Sequence, residues 1–301
     1  MDQAERLREL ARRQGGTPER TDGETSVAAA PRRPHKTRVI AITSGKGGVG
    51  KTNLTVGLAL ALHAAGCRVL VIDADLGMAN VDVVLGTSSK KHLLNLLETG
   101  TELKDVLVHG PYGVDYISGG SGIEKAQEFR PEERATLLDK LAGAGDLYDI
   151  VLIDTGAGLG KNVMEFILAA DEVILLTTPE PTSLTDAYAV LKAYSMYATE
   201  PHIELVVNRV YDERESREVV EKLQQTATRF LHMEVGCLGY IYEDASVTRA
   251  VRRQSPFLAA SPDALASRCV LAMAQGLLYG TQMTVKKGWR GFLRQIFQFS
   301  R

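Results

Sequence analysis

Along this chain, short runs of consecutive apolar residues alternate with longer stretches in which apolar positions recur every three or four residues. The runs at 39–43, 68–72, 114–118, 149–153, 172–177, 203–207 and 236–241 predict strands. Most are apolar at successive rather than alternate positions, the mark of strands covered on both faces. Helices are predicted over 54–65, 88–97, 131–141, 163–170, 184–197, 214–230, 245–252 and 264–278, one of them opened by Pro131 in a first-turn position. This alternation predicts an α/β fold, a doubly wound and mostly parallel sheet flanked by helices. In such a sheet, chemistry collects at the carboxyl ends of the strands.

The two ends of the chain depart from the pattern. In residues 2–13, Asp2 can cap a short helix whose Ala4, Leu7, Leu10 and Ala11 share one face. Glycine, proline, threonine, serine and charge dominate 14–36, which reads as a flexible linker. A helix this short is not stable alone, so 1–13 is either a frayed terminus or a docking peptide that folds on a partner. The body occupies 37–284. Over 285–301, Trp289, Phe292, Leu293, Ile296 and Phe297 fall on one helical face, flanked by Lys286, Arg290 and Arg294, with no acidic residue. That composition suits a helix lying in the plane of an anionic membrane. The alternative is a helix docked on the body, because a closed monomer must cover this much aromatic surface somewhere.

Composition narrows the field. A chain of 301 residues, 45% hydrophobic and 24% charged, supports one sizeable core. A net charge of −2 argues against bulk nucleic-acid binding, and no direct nucleic-acid partner is expected. Cys67, Cys237 and Cys269 are too scattered for a metal or redox motif and read as small core residues in a reducing compartment. The N-terminus has no apolar signal region and no run reaches bilayer length. The expectation is a cytoplasmic protein, peripherally associated with the inner face of the cell membrane.

The strongest local signal follows the first strand. Residues 44–53 read Ser-Gly-Lys-Gly-Gly-Val-Gly-Lys-Thr-Asn, a G-x-x-x-x-G-K-T phosphate loop between a strand and a helix. Its glycines let backbone N–H groups converge on phosphate oxygens, and the helix adds its positive N-terminus. Lys51 is placed for the β- and γ-phosphates and the Thr52 hydroxyl for Mg²⁺. The nucleotide-binding set is therefore Gly45, Lys46, Gly47, Gly48, Val49, Gly50, Lys51, Thr52 and Asn53.

Other strand ends supply carboxylates. Asp154 closes an apolar strand and opens Asp-Thr-Gly-Ala-Gly, a Walker B position suited to holding Mg²⁺, with Gly156 and Gly158 in a loop able to follow the γ-phosphate. Asp73 and Asp75 follow the second strand, and two carboxylates beside a triphosphate must serve the metal or a water. Asp73 is assigned to the Mg²⁺ shell. Asn208 opens Asn-Arg-Val-Tyr, where a GTPase of this class carries N-K-x-D. The guanine-reading aspartate is missing and an asparagine amide can pair with adenine, so the cofactors are ATP and Mg²⁺. Residues 181–186 and the segment after Gly239 are candidate walls of the base pocket.

The sequence from Gly45 to Thr52, with its extra Lys46, resembles the deviant Walker A motif of the MinD/ParA group of dimeric ATPases. The resemblance implies that Lys46 reaches across an ATP-dependent homodimer to the partner's nucleotide. It also implies that Asp75 positions the attacking water, so the catalytic set is Lys46, Lys51 and Asp75. Together with Asp-Ala-Asp-Leu-Gly-Met-Ala-Asn-Val-Asp at 73–82 and Val-Val-Asn-Arg-Val at 206–210, these motifs look like the FlhG branch (FleN, YlxH), which regulates flagellar number and placement. Asp2-Gln3-Ala4 with Leu7-Arg8 matches that family's D-Q-A-x-x-L-R activator of FlhF, a GTPase of the signal-recognition-particle type. Residues 2–8 would then dock on an FlhF-like partner, Gln3 acting on its nucleotide. Flagellar C-ring proteins or a flagellar transcription regulator are the further partners implied. A DNA-binding ParA-type partition ATPase and a MinD-type division-site regulator are the alternatives.

Overall fold

The computed structural model describes residues 37–75, 79–120, 131–198, 202–280 and 288–298. The expected docking helix at 1–13 with Gln3, the linker at 14–36 and the tail's first and last residues lie outside this set. In chain order the elements are β1 (Arg38–Ser44), α1 (Lys51–Ala64), β2 (Val69–Ala74), α2 (Val81–Leu85), a 3₁₀ turn (Leu93–Leu97), α3 (Leu103–Val106), β3 (Val108–His109) and β4 (Asp115–Ile117). There follow α4 (Pro131–Ala142), α5 (Ala144–Leu147), β5 (Ile150–Ala157), α6 (Lys161–Ala169), β6 (Glu172–Thr177), α7 (Pro181–Tyr197), β7 (Ile203–Val210) and α8 (Glu213–Leu231). The chain continues through β8 (Gly236–Tyr242), α9 (Ala245–Arg252), α10 (Phe257–Ala260), α11 (Leu265–Tyr279) and α12 (Gly288–Gln298).

The strands form one sheet in the order β3-β4-β2-β5-β1-β6-β7-β8, parallel except for the β3–β4 pair. Successive residues of β1 enter opposite cores. Val39 and Ala41 join one cluster, and Ile40 and Ile42 the other. This is why the strands read as unbroken apolar runs. Helix α1 is buried along most of its length, so the element after the glycine loop is a core helix with a fixed direction. At the amino ends of the central strands β1 and β6, Arg38 and Glu172 form a buried ion pair, with Nη2 to Oε2 at 2.6 Å, and Arg38 also donates to the Leu277 carbonyl.

The structure corrects one sequence reading and, for a second, shows the docked alternative. The helix expected over 88–97 is only the 3₁₀ turn Leu93–Leu97. The Leu93 N–H, which a helix would direct four residues back, instead donates to the Ser118 carbonyl at 2.9 Å, and the His92 N–H is taken by Asn95 Oδ1 at 2.6 Å. The second concerns the tail. The face read as lipid-facing is docked on the body, because its aromatics find a matching surface there. Helix α12 packs on α4, α5, α6 and the start of β1. Trp289, Phe292 and Leu293 are buried and Ile296 is half-buried, while the side chain of Phe297 lies outside the described set. Phe292 stacks between Trp289 (centroids 5.3 Å apart) and Phe166 (6.4 Å), and the Trp289 indole donates to the Leu141 carbonyl. Burial of each such side chain contributes about 1.5–3 kcal/mol before ordering costs. Among the described residues no helix is long and apolar enough to cross a membrane.

Candidate nucleotide site

The glycine loop joins β1 to α1 where connections leave the sheet in both directions, toward β2 on one side and β6 on the other. Two glycines have identifiable physical reasons. Gly50 adopts φ 100°, and a Cβ there would fall 2.5 Å from Asn208 Nδ2. Gly45 lies so close to α7 that a Cβ would sit 2.3 Å from the Asp186 backbone. The loop is thereby fixed between β7 and α7, and it borders a cavity of about 790 Å³, within the range of nucleotide-sized pockets.

One buried carboxylate organises the floor. Asp154, 1% exposed, accepts from Thr52 Oγ1 at 2.7 Å, Lys51 Nζ at 3.2 Å and Thr55 Oγ1 at 3.1 Å. Burial pushes its pKa up against the pull of Lys51. A strand-end carboxylate beside the loop's hydroxyl is a donor set that fits a hard divalent cation. Thr55 was missed by motif matching, although its i, i+3 spacing from Thr52 places both hydroxyls on one face of α1.

Asp73 sits opposite Asp154 in the β2–β5 register and is fully buried. Its oxygens accept backbone N–H groups. Oδ2 accepts the N–H groups of Asn80 (2.8 Å) and Val81 (3.1 Å), and Oδ1 accepts that of Asp75 (3.1 Å). These bonds give Asp73 a structural role that the sequence did not reveal: it holds the segment that carries Asp75. Burial first, and Asp154 second, push its pKa up to about 7, outweighing the three N–H bonds. Asp75 lines the cavity, facing Gly156 near the end of β5.

Asn208 also differs from expectation. Its Nδ2 donates to the Val49 carbonyl at 2.6 Å and its Oδ1 accepts the Arg209 N–H at 2.9 Å. Half of the amide's hydrogen-bonding capacity thus braces the phosphate loop, leaving one donor and one acceptor position for a base. Arg209, unflagged by the sequence, has φ 60° and reaches Gly48 O at 3.2 Å, a second brace. The far wall comes from Ile241, Tyr242, Glu243 and Asp244, as anticipated after Gly239, and from α9. Residues 181–186 are not in that wall but stand on the other side of the loop, against Gly45 and Lys46.

Comparison with known proteins places this geometry. Residues 40–257 match the CobQ/CobB/MinD/ParA nucleotide binding domain. The chain is 41% identical to the antiactivator FleN of Pseudomonas aeruginosa, over 80% of this chain and 86% of that one. It is 34% identical to the flagellum site-determining protein YlxH of Helicobacter pylori, over 87% and 90%. Among solved structures it resembles the septum site-determining protein MinD with Mg-ADP from Pyrococcus horikoshii, at 30% identity and a TM-score of 0.65, covering 81% of this chain and 98% of that one. With its phosphate loop, its Thr52–Asp154 pair and these relatives, the chain belongs to the MinD/ParA family of ATP hydrolases, in the branch that contains FleN and YlxH.

Proposed function

We propose that this protein is an ATP-gated switch controlling flagellar number or placement, with two outputs at its ends. Lys51 and the loop's N–H groups bind the phosphates, Thr52 and Asp154 hold Mg²⁺, and Asp75 orients the attacking water. The metal, when bound, draws off charge from the phosphate oxygens. Lys46 serves the nucleotide of a second copy, so ATP closes a homodimer. At one end, α12 leaves the body for an anionic membrane, and two tails per dimer bind with avidity. At the other, residues 2–8 dock on an FlhF-like GTPase, with Gln3 acting on its nucleotide.

The observation carrying this reading is the path from site to tail. From Asp154 the chain runs through Gly156 near the end of β5 and Gly158 in the short loop beyond it directly into α6, and α6 contributes Phe166 to the surface on which α12 docks. A loop that follows the γ-phosphate therefore moves the helix beneath the tail. Asp75→Ala should accumulate an ATP-bound dimer that co-sediments with anionic liposomes, whereas the ADP form stays in solution. If that variant remains monomeric at saturating ATP, the switch reading is wrong. A peptide of residues 1–14 should raise the turnover of the partner GTPase, and Gln3→Ala should abolish the effect.

A further inference from the structure

Lys46 is turned away from the cavity that its own loop borders. Its Nζ lies 2.9 Å from Glu180 Oε2 and 3.1 Å from Thr182 Oγ1, and the residue is not part of the cavity wall. Both acceptors stand at the start of α7: Glu180 immediately precedes the helix in extended conformation and Pro181 opens it. That turn is fixed relative to the loop. Gly45 abuts the Asp186 backbone, and Ser183 ties the turn to β6 through Thr177 Oγ1 at 2.9 Å and the Thr178 N–H at 3.1 Å. The backbone that carries the acceptors is thus held by packed neighbours, while Lys46 reaches them on a flexible four-carbon stem.

We infer that Glu180, with Thr182 beside it, is a positioning residue that holds Lys46 against its own chain, so that phosphate presented by a second copy must displace a carboxylate before Lys46 can serve it. The inference rests on the dimer reading above. The contact suits an exchangeable restraint: the Lys46 and Glu180 side chains are 40% and 56% exposed, and such pairs are weak and screened by salt. A single carboxylate is replaced by the several anionic oxygens of a triphosphate terminus. A diphosphate offers fewer, so the exchange favours the triphosphate state. Every dimer releases two such contacts, one per copy, and the effect on dimerisation is therefore doubled.

Removing the charge while keeping the shape, as in Glu180→Gln, should lower the concentration at which the full-length chain dimerises with Mg²⁺ and a non-hydrolysable ATP analogue. A shift of about two- to tenfold is expected from two exposed pairs. It is read by size-exclusion chromatography with light scattering, and should shrink as salt is raised. Glu180→Asp, which keeps the charge, should move the midpoint back toward wild type. In the ADP-bound monomer, acetylation of Lys46 followed by mass spectrometry should be faster in Glu180→Gln than in wild type. If wild type dimerises and Glu180→Gln dimerises no more readily, or if Lys46 is acetylated equally in both, the restraint does not exist. If wild type stays monomeric at saturating analogue, the dimer reading itself falls and takes this inference with it.

Discussion

The docking of α12 can be loosened from the body's side without touching the helix. Gly145, in the short α5, sits beneath the indole of Trp289. A Cβ at that position would lie 2.8 Å from Trp289 Cδ1, 3.1 Å from its Cβ and 3.2 Å from its Cγ. The φ of Gly145 is one that alanine tolerates, so Gly145→Ala introduces a packing conflict with the tail and little else. Overpacking of this kind costs about 1–3 kcal/mol. The helix-propensity gain from glycine to alanine acts on docked and released forms alike and cancels in their ratio. The released fraction should therefore rise by roughly 5- to 150-fold. Trp289 is the chain's single tryptophan, so its emission reports on this equilibrium directly. In ADP, Gly145→Ala should shift the emission to the red and raise co-sedimentation with anionic liposomes. Wild-type emission together with unchanged liposome binding would refute the argument that close packing at Gly145 restrains the tail.

Three further outcomes follow from the site and the core. Gly50→Ala combines a left-handed backbone, about 1–2 kcal/mol against any Cβ, with displacement of Asn208, and should weaken binding of a fluorescent nucleotide at least tenfold while leaving the circular dichroism intact. Asp73 is raised to about 7, so the nucleotide-free protein binds a proton there that the unfolded chain has lost. The contribution of Asp73 to stability should be full below about pH 4 and be lost as pH rises toward 7, and Asp73→Asn should flatten that part of the urea-unfolding profile. Glu172→Ala strands the buried Arg38 guanidinium and should cost about 3–5 kcal/mol in urea unfolding, whereas replacing both partners with apolar residues should cost far less.

What the chain reveals before folding depends on the range of the interaction. The strand runs and the phosphate loop are local, and each appears where its pattern predicts it. The wall after Gly239 was legible because chemistry at strand ends follows from the topology. Asp73 and Asn208 have residue types that suit ligands, and that is all the sequence could show of them. Only the folded neighbours show that backbone N–H groups at 75, 80 and 81 and the Val49 carbonyl already engage them. The tail's amphipathic face was correct as a pattern, but a helical face does not say what covers it. Phe166 and Gly145, which do so here, are distant in sequence and carry no mark of the role.

Thr37 and α12, the first described residue and the last described helix, meet at one turn. Thr37, through which the N-terminal segment enters the body, donates its hydroxyl to the carbonyls of Gly145 and, at 2.9 Å, Tyr148. Gly145 is also the residue on which Trp289 rests. Free energy passing through this turn acts with equal strength in both directions. If the tail engages lipid as proposed, a ligand that grips the segment before Thr37 and alters its anchorage would change the affinity of the tail for lipid by some factor. Lipid would then change the affinity of that ligand by the same factor. The two proposed outputs would in this sense be one reciprocal instrument, and measuring either while titrating the other would read the strength of the joint.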